Sequence, residues 1–138
     1  MCVSPEADFL AAGVLLPVGV ATLRCARHRG EILLASLPVL FALHQFVEGF
    51  VWLGLRGDVS AAVEETAIRA YLGFAQVALP VLVPLAFLVA EPGRARRRWL
   101  VPFLALGAVV AVRLGAVIAT HPAGARALDH LVVYSTDL

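Results

Sequence analysis

Lysine is absent from this chain of 138 residues, and charge of either sign is scarce. All eleven basic residues are arginine and the net charge is +1, so the electrostatic attraction that drives nucleic-acid binding has no basis here. Charged residues make up 15% of the chain, against about 25% in an average soluble domain. The composition therefore predicts neither a nucleic-acid partner nor a soluble domain.

Several signatures of known chemistry are also missing. The sequence contains no P-loop, dinucleotide-binding fingerprint, nucleophile elbow or HExxH pair. Its two cysteines, Cys2 and Cys25, lie at opposite ends of the first apolar block, so we expect no disulfide framework. These absences leave no reaction class and no cofactor to assign, and they do not decide whether the chain is an enzyme.

Hydrophobic residues make up 61% of the chain, and they fall into four blocks separated by short charged segments. This pattern is typical of a helical membrane protein. We predict an all-α integral membrane bundle that forms one domain over residues 1–138 and ends in a short C-terminal tail. The predicted transmembrane spans are about 7–24, 32–55, 70–90 and 99–120. The first block is short, so we expect Asp8 and Arg24 to lie at its two interfaces.

The distribution of arginine predicts the orientation of these spans. Loops that face the cytoplasm carry an excess of basic residues. The first and third loops hold seven of the eleven arginines. We therefore expect both loops to be cytoplasmic, with the N-terminus outside the cell membrane and the lipid bilayer as the partner of the spans. The predicted topology determinants are Arg24, Arg27, Arg29, Arg94, Arg96, Arg97 and Arg98.

Polar residues interrupt the second span. His44 and Glu48 are four residues apart and share a helix face, ~18 and ~24 Å along the helix from its start. An uncompensated charge in a bilayer costs at least about 2.5 kcal/mol. We therefore predict that Glu48 turns inward and pairs with Arg113, which lies ~21 Å along the fourth span. Alternatively, Arg113 extends to the outer interface. The predicted intramembrane cluster is His44, Gln45, Glu48, Gln76 and Arg113.

This cluster has three open interpretations. A histidine and a carboxylate four residues apart can reach one metal ion, and Cys2 or His121 would complete the ligand set. The second interpretation is a structural network that holds the helices together, and the third is proton or substrate handling. The leading hypothesis is a membrane protein for sensing, scaffolding, or small-solute or ion handling. The alternative is a metal- or haem-dependent enzyme using Cys2, His44 and Glu48.

Small residues recur every four positions in the fourth span. Such a stripe allows two helices to approach closely, and it predicts helix packing or a homo-oligomer. Arg113 lies roughly 200° around the helix from this stripe. The residues of the stripe are Gly107, Ala111, Gly115 and Ala119.

The chain opens with MCVS, carries HQFVEGFVW in the second span and has DHLVVY in its tail. In these features it resembles, over its whole length, a bacterial family of multi-pass membrane proteins without an assigned activity. Members of that family open with a Met-Cys-Phe-Ser-Ala-like stretch and carry His-Gln-x-x-Glu-Gly-x-x-Trp in the second helix. The chain departs from the opening stretch at Val3 and Pro5. The residues that match the helix motif are His44, Gln45, Glu48, Gly49 and Trp52.

The family members continue into further hydrophobic helices after a His-x-x-x-Tyr segment, which His130 and Tyr134 match here. The resemblance therefore implies that this chain is a C-terminally short member. It adds a third hypothesis, a truncated and inactive copy. The resemblance implies the fold and the membrane location, and it implies no activity.

Overall fold

The computed structural model of the chain describes residues 4–128 and 131–136. Its four helical stretches are long and apolar enough to cross a membrane, which confirms the predicted all-α architecture. The elements are α1 (Pro5–Cys25), a 3₁₀ turn (Arg29–Glu31), α2 (Ile32–Leu55), α3 (Ala61–Leu72), a π-helical turn (Gly73–Ala78), α4 (Leu79–Ala90), α5 (Arg94–Thr120), β1 (Ala123–Leu128) and β2 (Leu131–Thr136).

Helices α1 and α2 pack side by side. Ser4 caps α1 by accepting a hydrogen bond from the Ala7 amide at 3.3 Å, and Pro5 occupies the first turn, where a missing N–H is harmless. Farther along, the Thr22 hydroxyl donates to the Ala35 carbonyl at 2.9 Å. Gly19 is buried against Val39 of α2. The two helices are therefore in contact with little side-chain bulk between them at this point.

The third spanning stretch is one helix with a widened turn. Proline has no amide hydrogen, and its ring collides with the carbonyl four residues earlier. The ring of Pro80 would collide in this way with the carbonyl of Gln76. The π turn over Gly73–Ala78 includes Gln76 and widens the helix there. Residues 61–69 lie before the predicted span, yet they are also helical. The Arg69–Glu65 ion pair, at 3.0 Å and four residues apart, stabilises that first part of the helix.

The predicted tail contains a β-hairpin. Strands β1 and β2 pair antiparallel, with Ala125 opposite Tyr134. Alternation along β2 turns Val132 and Tyr134 toward the helices, while Val133 is exposed. The hairpin therefore covers one end of the helical bundle.

The buried core lies at that same end. Its residues come from three helices, and the hairpin packs against it. The core residues are Val51, Ala67, Ile68, Leu72 and Ile118. Elsewhere the outer surfaces of α1 and α5 expose large apolar side chains, as helices in contact with lipid do.

Ion pairs and turns define the two ends of the bundle. Arg56, which follows α2, pairs with Glu6 of α1 at 2.9 Å. The N-terminal turn, the second loop and the hairpin therefore lie at one end. Gly57, with a φ of 79°, makes the turn between α2 and α3 in a conformation that favours glycine. The first and third loops lie at the opposite end, with their arginines.

Candidate functional site

Two acidic side chains are buried between α1 and α2, near the end that the hairpin covers. Glu48 is 1% exposed and Asp8 is 3% exposed. Phe9, which follows Asp8, lies directly against Gly49, so a methyl group added at Gly49 would collide with its ring. Asp8 and Glu48 are close enough to interact electrostatically. Like charges at this depth repel, so the pair is a costly arrangement unless something neutralises it.

The two carboxyl groups differ in the partners that the structure gives them. Gln45 donates from its Nε2 to Glu48 Oε2 at 2.7 Å, within the same helix. Asp8 Oδ2 is buried and has no hydrogen-bond partner among the described residues. A buried polar atom without a partner is unusual and expensive. Asp8 Oδ2 is therefore a buried carboxyl oxygen at the α1–α2 contact whose hydrogen-bonding capacity is unused among the described residues.

His44 lies one turn before Glu48 and forms part of a column of rings. Its imidazole stacks on Tyr71 with ring centroids 4.2 Å apart and an angle of 18°. Tyr71 stacks in turn on Tyr134 of the hairpin at 4.5 Å and 13°. Phe74 lies 4.8 Å from the imidazole. The column therefore connects α2, α3, the π turn and β2, and His44 Nδ1 is left without a hydrogen-bond partner among the described residues.

Trp52 lies one turn after Glu48 and is buried. Its indole Nε1 is buried and has no hydrogen-bond partner in the described part of the chain. A buried indole usually donates its hydrogen to an acceptor. Asp8, His44 and Trp52 thus each present a buried polar atom near Glu48 that has no hydrogen-bond partner within residues 4–128 and 131–136.

The other residues of the predicted cluster lie elsewhere. Gln76 is half-buried in the π turn, and none of the described hydrogen bonds involves its side chain. Arg113 is exposed and takes part in none of the ion pairs of residues 4–128 and 131–136. The structure therefore does not form the expected Glu48–Arg113 pair. The physical reason is the rotation of α5 about its own axis. Small residues of α5 pack against α4 and the π turn, and this leaves Arg113 on an exposed side of the helix.

The stripe of small residues packs inside the chain. A Cβ at Gly107 would collide with the Pro80 carbonyl, and a Cβ at Gly115 would lie 3.4 Å from Val77. Ala111 is buried, whereas Ala119 is exposed. Most of the stripe thus contacts α4 and the π turn of the same molecule, and the homo-oligomer through this stripe stays a prediction.

The predicted metal ligands do not come together in the described part of the chain. There, no group of three or more His, Cys, Asp or Glu side chains is spaced to hold a metal ion. His121 caps α5, with Nδ1 at 2.8 Å from the Thr120 hydroxyl and 3.3 Å from the Val117 carbonyl oxygen. Cys2 lies outside the described residues, as does His130.

Sequence reasoning missed Asp8 and Tyr71 as members of the site. Asp8 was expected at the interface because it directly precedes an apolar block that is short for a span. Its burial follows from the rotation of α1 against α2, which no local pattern specifies. The only sequence signal at Tyr71 is its position near the start of the predicted third span. Tyrosine is common at such positions because it lies at the membrane interface, so the signal does not indicate a site.

Comparison with known proteins gives a family and nothing more specific. The model of a family described as a family of unknown function (DUF6629) matches residues 1–138. No curated protein and no solved structure matches the chain.

Proposed function

The chain belongs to the family of unknown function DUF6629, and from that premise we propose that it is an integral membrane protein that binds and releases a proton at Asp8 and Glu48. One observation carries the proposal, namely that both carboxyl groups are buried in an apolar contact and Asp8 Oδ2 has no described partner. In this role the protein senses the proton concentration on the side of the membrane to which the site is nearest.

Binding of one proton reduces the electrostatic cost of burying both Asp8 and Glu48. Two ionised carboxylates that interact within a low-dielectric contact repel each other, and each has lost its hydration. One proton removes a charge and supplies a donor for a buried oxygen. It needs no cage of ligands, unlike a metal ion, which prefers several donors in a defined geometry.

Other titratable groups surround the pair. His44 on α2 interacts electrostatically with Glu48, and Tyr71 on α3 stacks on His44. Glu6, one residue into α1, is exposed and held by Arg56. Any change of charge at Asp8 and Glu48 therefore acts on the contact between α1 and α2 and, through the ring column, on the hairpin.

The proposal includes an orientation in the cell membrane. The N-terminal turn, the second loop and the hairpin face outward, and the arginine-rich loops face the cytoplasm. The excess of arginine in the first and third loops supports this orientation. The carboxyl pair then lies in the outer half of the bilayer, one to two turns from the outer ends of its helices.

Infrared difference spectroscopy tests this function directly. Spectra of the purified protein in lipid nanodiscs, recorded between acidic and alkaline pH, should contain the carbonyl band of a protonated carboxylic acid. Asp8→Asn and Glu48→Gln should each remove or shift that band. Asp58→Asn, at an exposed position of the second loop, is the matched control and should leave it unchanged. A spectrum identical in wild type and both site variants would refute proton binding at this pair.

A further inference from the structure

Trp52 of α2 and Asp8 of α1 each bury a polar atom that lacks a hydrogen-bond partner in the described part of the chain. Trp52 is 6% exposed and Asp8 is 3% exposed. The indole nitrogen can only donate a hydrogen bond, whereas an ionised carboxylate oxygen can only accept one. A single small molecule that both accepts and donates would therefore satisfy the two atoms, provided that they lie close together.

The register of α1 against α2 places Asp8 between Glu48 and Trp52 along the helix axes. The two helices run antiparallel, and in this register Asp8 stands level with position 50 of α2. Glu48 and Trp52 are two residues to either side of that position, so each is ~3 Å from the level of Asp8 along the axis. Two close contacts fix the register, Gly19 with Val39 and Phe9 with Gly49.

The rotation of the helices places Asp8 on the same side of the contact as Glu48 and Trp52. Phe9 packs on Phe50, with ring centroids 5.8 Å apart. Asp8 is one residue before Phe9 and so stands ~100° around α1 from it. Glu48 and Trp52 stand two residues before and after Phe50, on the opposite side of α2 from that ring. The electrostatic interaction of Asp8 with Glu48 agrees with this placement.

Asp8 and Trp52 also lean toward each other. Side chains on a helix tilt toward the N-terminus of that helix. Because α1 and α2 are antiparallel, Asp8 tilts toward the end that the hairpin covers and Trp52 tilts away from that end. Glu48 tilts in the same direction as Trp52 and accepts a hydrogen bond from Gln45, which lies farther from the hairpin. Trp52 is therefore the polar side chain of α2 toward which Asp8 tilts.

The other donors on this side of α2 already have acceptors. Gln45 donates to Glu48 Oε2 at 2.7 Å, and Arg56 donates to Glu6 Oε1 at 2.9 Å. Trp52 stands between these two donors along the helix, and its Nε1 has no acceptor among the described residues. The indole hydrogen is therefore the donor that remains for the unpartnered carboxyl group of α1.

We propose that one buried water molecule joins the indole N–H of Trp52 to Asp8 Oδ2, and that Trp52 is a positioning residue of the proton site. The inference rests on the proposed function and names the group that holds the ionised form of Asp8. The water accepts the indole hydrogen and donates one of its own to the carboxylate, and such a bridge is nearly as favourable as a direct hydrogen bond. A cation would meet the positive end of the indole N–H, and an anion would meet the carboxyl pair.

When Asp8 takes up the proton, the charge of the carboxylate is lost and the bridge weakens. The indole of Trp52 therefore reports the protonation of Asp8. Further titratable groups lie on α1, α2, α3 and β2 around this contact, and the variant Asp8→Asn separates their titration from that of Asp8. These groups are Glu6, Glu48, His44, Glu64, Tyr71 and Tyr134.

Ultraviolet resonance Raman spectroscopy of Trp99→Phe in lipid nanodiscs tests the bridge, because Trp52 is then the sole tryptophan. The band that reports hydrogen bonding of the indole N–H should show a bonded indole at alkaline pH and a weaker bond at acidic pH. Its midpoint should coincide with that of the infrared carbonyl band, and Asp8→Asn in the same background should remove the pH dependence. An indole without a hydrogen bond at every pH, or a response that persists in Asp8→Asn, would overturn the proposal.

The water itself is detected by infrared difference spectroscopy in water enriched in the heavy oxygen isotope. The spectrum of the wild type should contain an O–H stretching band that shifts with the isotope and is lost in Trp52→Phe. If no band shifts with the isotope, water does not bridge the two side chains and the proposal fails.

Trp52→Phe keeps an aromatic ring and removes the donor. The ionised Asp8 then loses its hydrogen-bonded water, so the infrared carbonyl band should titrate about one pH unit higher, a tenfold gain in proton affinity. Trp99→Phe, at a ring that is 78% exposed, is the matched control and should not shift the midpoint. An unchanged midpoint in Trp52→Phe would remove Trp52 from the site while proton binding stands, whereas a wild type without the carbonyl band would refute proton binding itself.

Discussion

At the scale of single residues, glycines on one helix differ in what surrounds them. A methyl group at Gly19 would lie 2.6 Å from the Val39 backbone nitrogen, whereas one at Gly13 would meet nothing within 4 Å. Both positions lie inside α1, so the gain in helix propensity from alanine is similar. The difference between the two substitutions therefore isolates the close contact between α1 and α2.

We expect Gly19→Ala to lower the free energy of unfolding by about 1–3 kcal/mol, because the methyl group forces α1 away from the α2 backbone. Gly13→Ala should be neutral or raise it by up to about 1 kcal/mol. Unfolding of the purified protein in mixed micelles measures both. Equal effects of the two substitutions would mean that the helices separate here at little cost.

The exposed Arg113 gives a second test at this scale. Arg113→Gln should change the free energy of unfolding by no more than about 0.5 kcal/mol, because the guanidinium forms no ion pair among the described residues. Breaking a buried pair instead costs about 3–5 kcal/mol. A loss of that size in the same micelle assay would contradict the exposed position of Arg113 and would support a buried Glu48–Arg113 pair. Arg126→Gln, on the exposed side of β1, serves as the control.

At the scale of elements, stacked rings hold the hairpin against the helices. Tyr134 of β2 lies on Tyr71, which lies on His44. Stacked aromatic pairs contribute about 0.5–1.5 kcal/mol beyond the burial of their area. A two-stranded hairpin is marginally stable alone, so these contacts and the apolar core beneath it determine whether it forms.

Tyr134→Ala should therefore increase hydrogen exchange of the backbone amides in β1 and β2, with little change in α1. Tyr134→Phe retains the ring and should protect these amides nearly as well as the native residue does. Hydrogen–deuterium exchange with mass spectrometry resolves the two strands from the helices. Equal exchange in the alanine variant and the native protein would show that the strand ladder is stable without the column of rings.

The long apolar helices could be predicted from the sequence, whereas the positions where they extend beyond the apolar blocks could be predicted only in part. The bounds of α2 agree with the predicted second span, since both begin at Ile32 and end at Leu55. The extension of the third helix back to Ala61 was not predicted, because residues 61–69 are too polar to be recognised by hydropathy. Their helix instead depends on local ion pairing and on contacts of Ala67 and Ile68 with the core.

At the scale of the whole molecule, the orientation in the membrane is open to a direct test. Cys25 is exposed at the arginine-rich end, and Asp58 is exposed in the second loop. In a Cys2→Ser variant, a membrane-impermeant maleimide should label Cys25 only after the cells are permeabilised. Asp58→Cys, in a chain whose two native cysteines are serine, should be labelled in intact cells. The reverse pattern would place the carboxyl pair in the inner half of the bilayer.

The sequence by itself determined the four apolar spans and the clustering of arginine at alternate loops. These features are local, because a spanning segment must satisfy its own backbone hydrogen bonds and present apolar side chains over a fixed length. The positions of His44 and Glu48 within the apolar second span are also visible in the sequence.

Only the tertiary structure decided which polar groups meet. The rotation of each helix depends on close contacts such as Gly107 with Pro80 and Gly49 with Phe9, which involve residues far apart in the chain. Those contacts turn Arg113 outward and Asp8 inward, so the buried charged group that interacts electrostatically with Glu48 across the α1–α2 contact is a carboxyl group. The hairpin likewise depends on the surface that three helices present to it, and the short tail does not encode that surface.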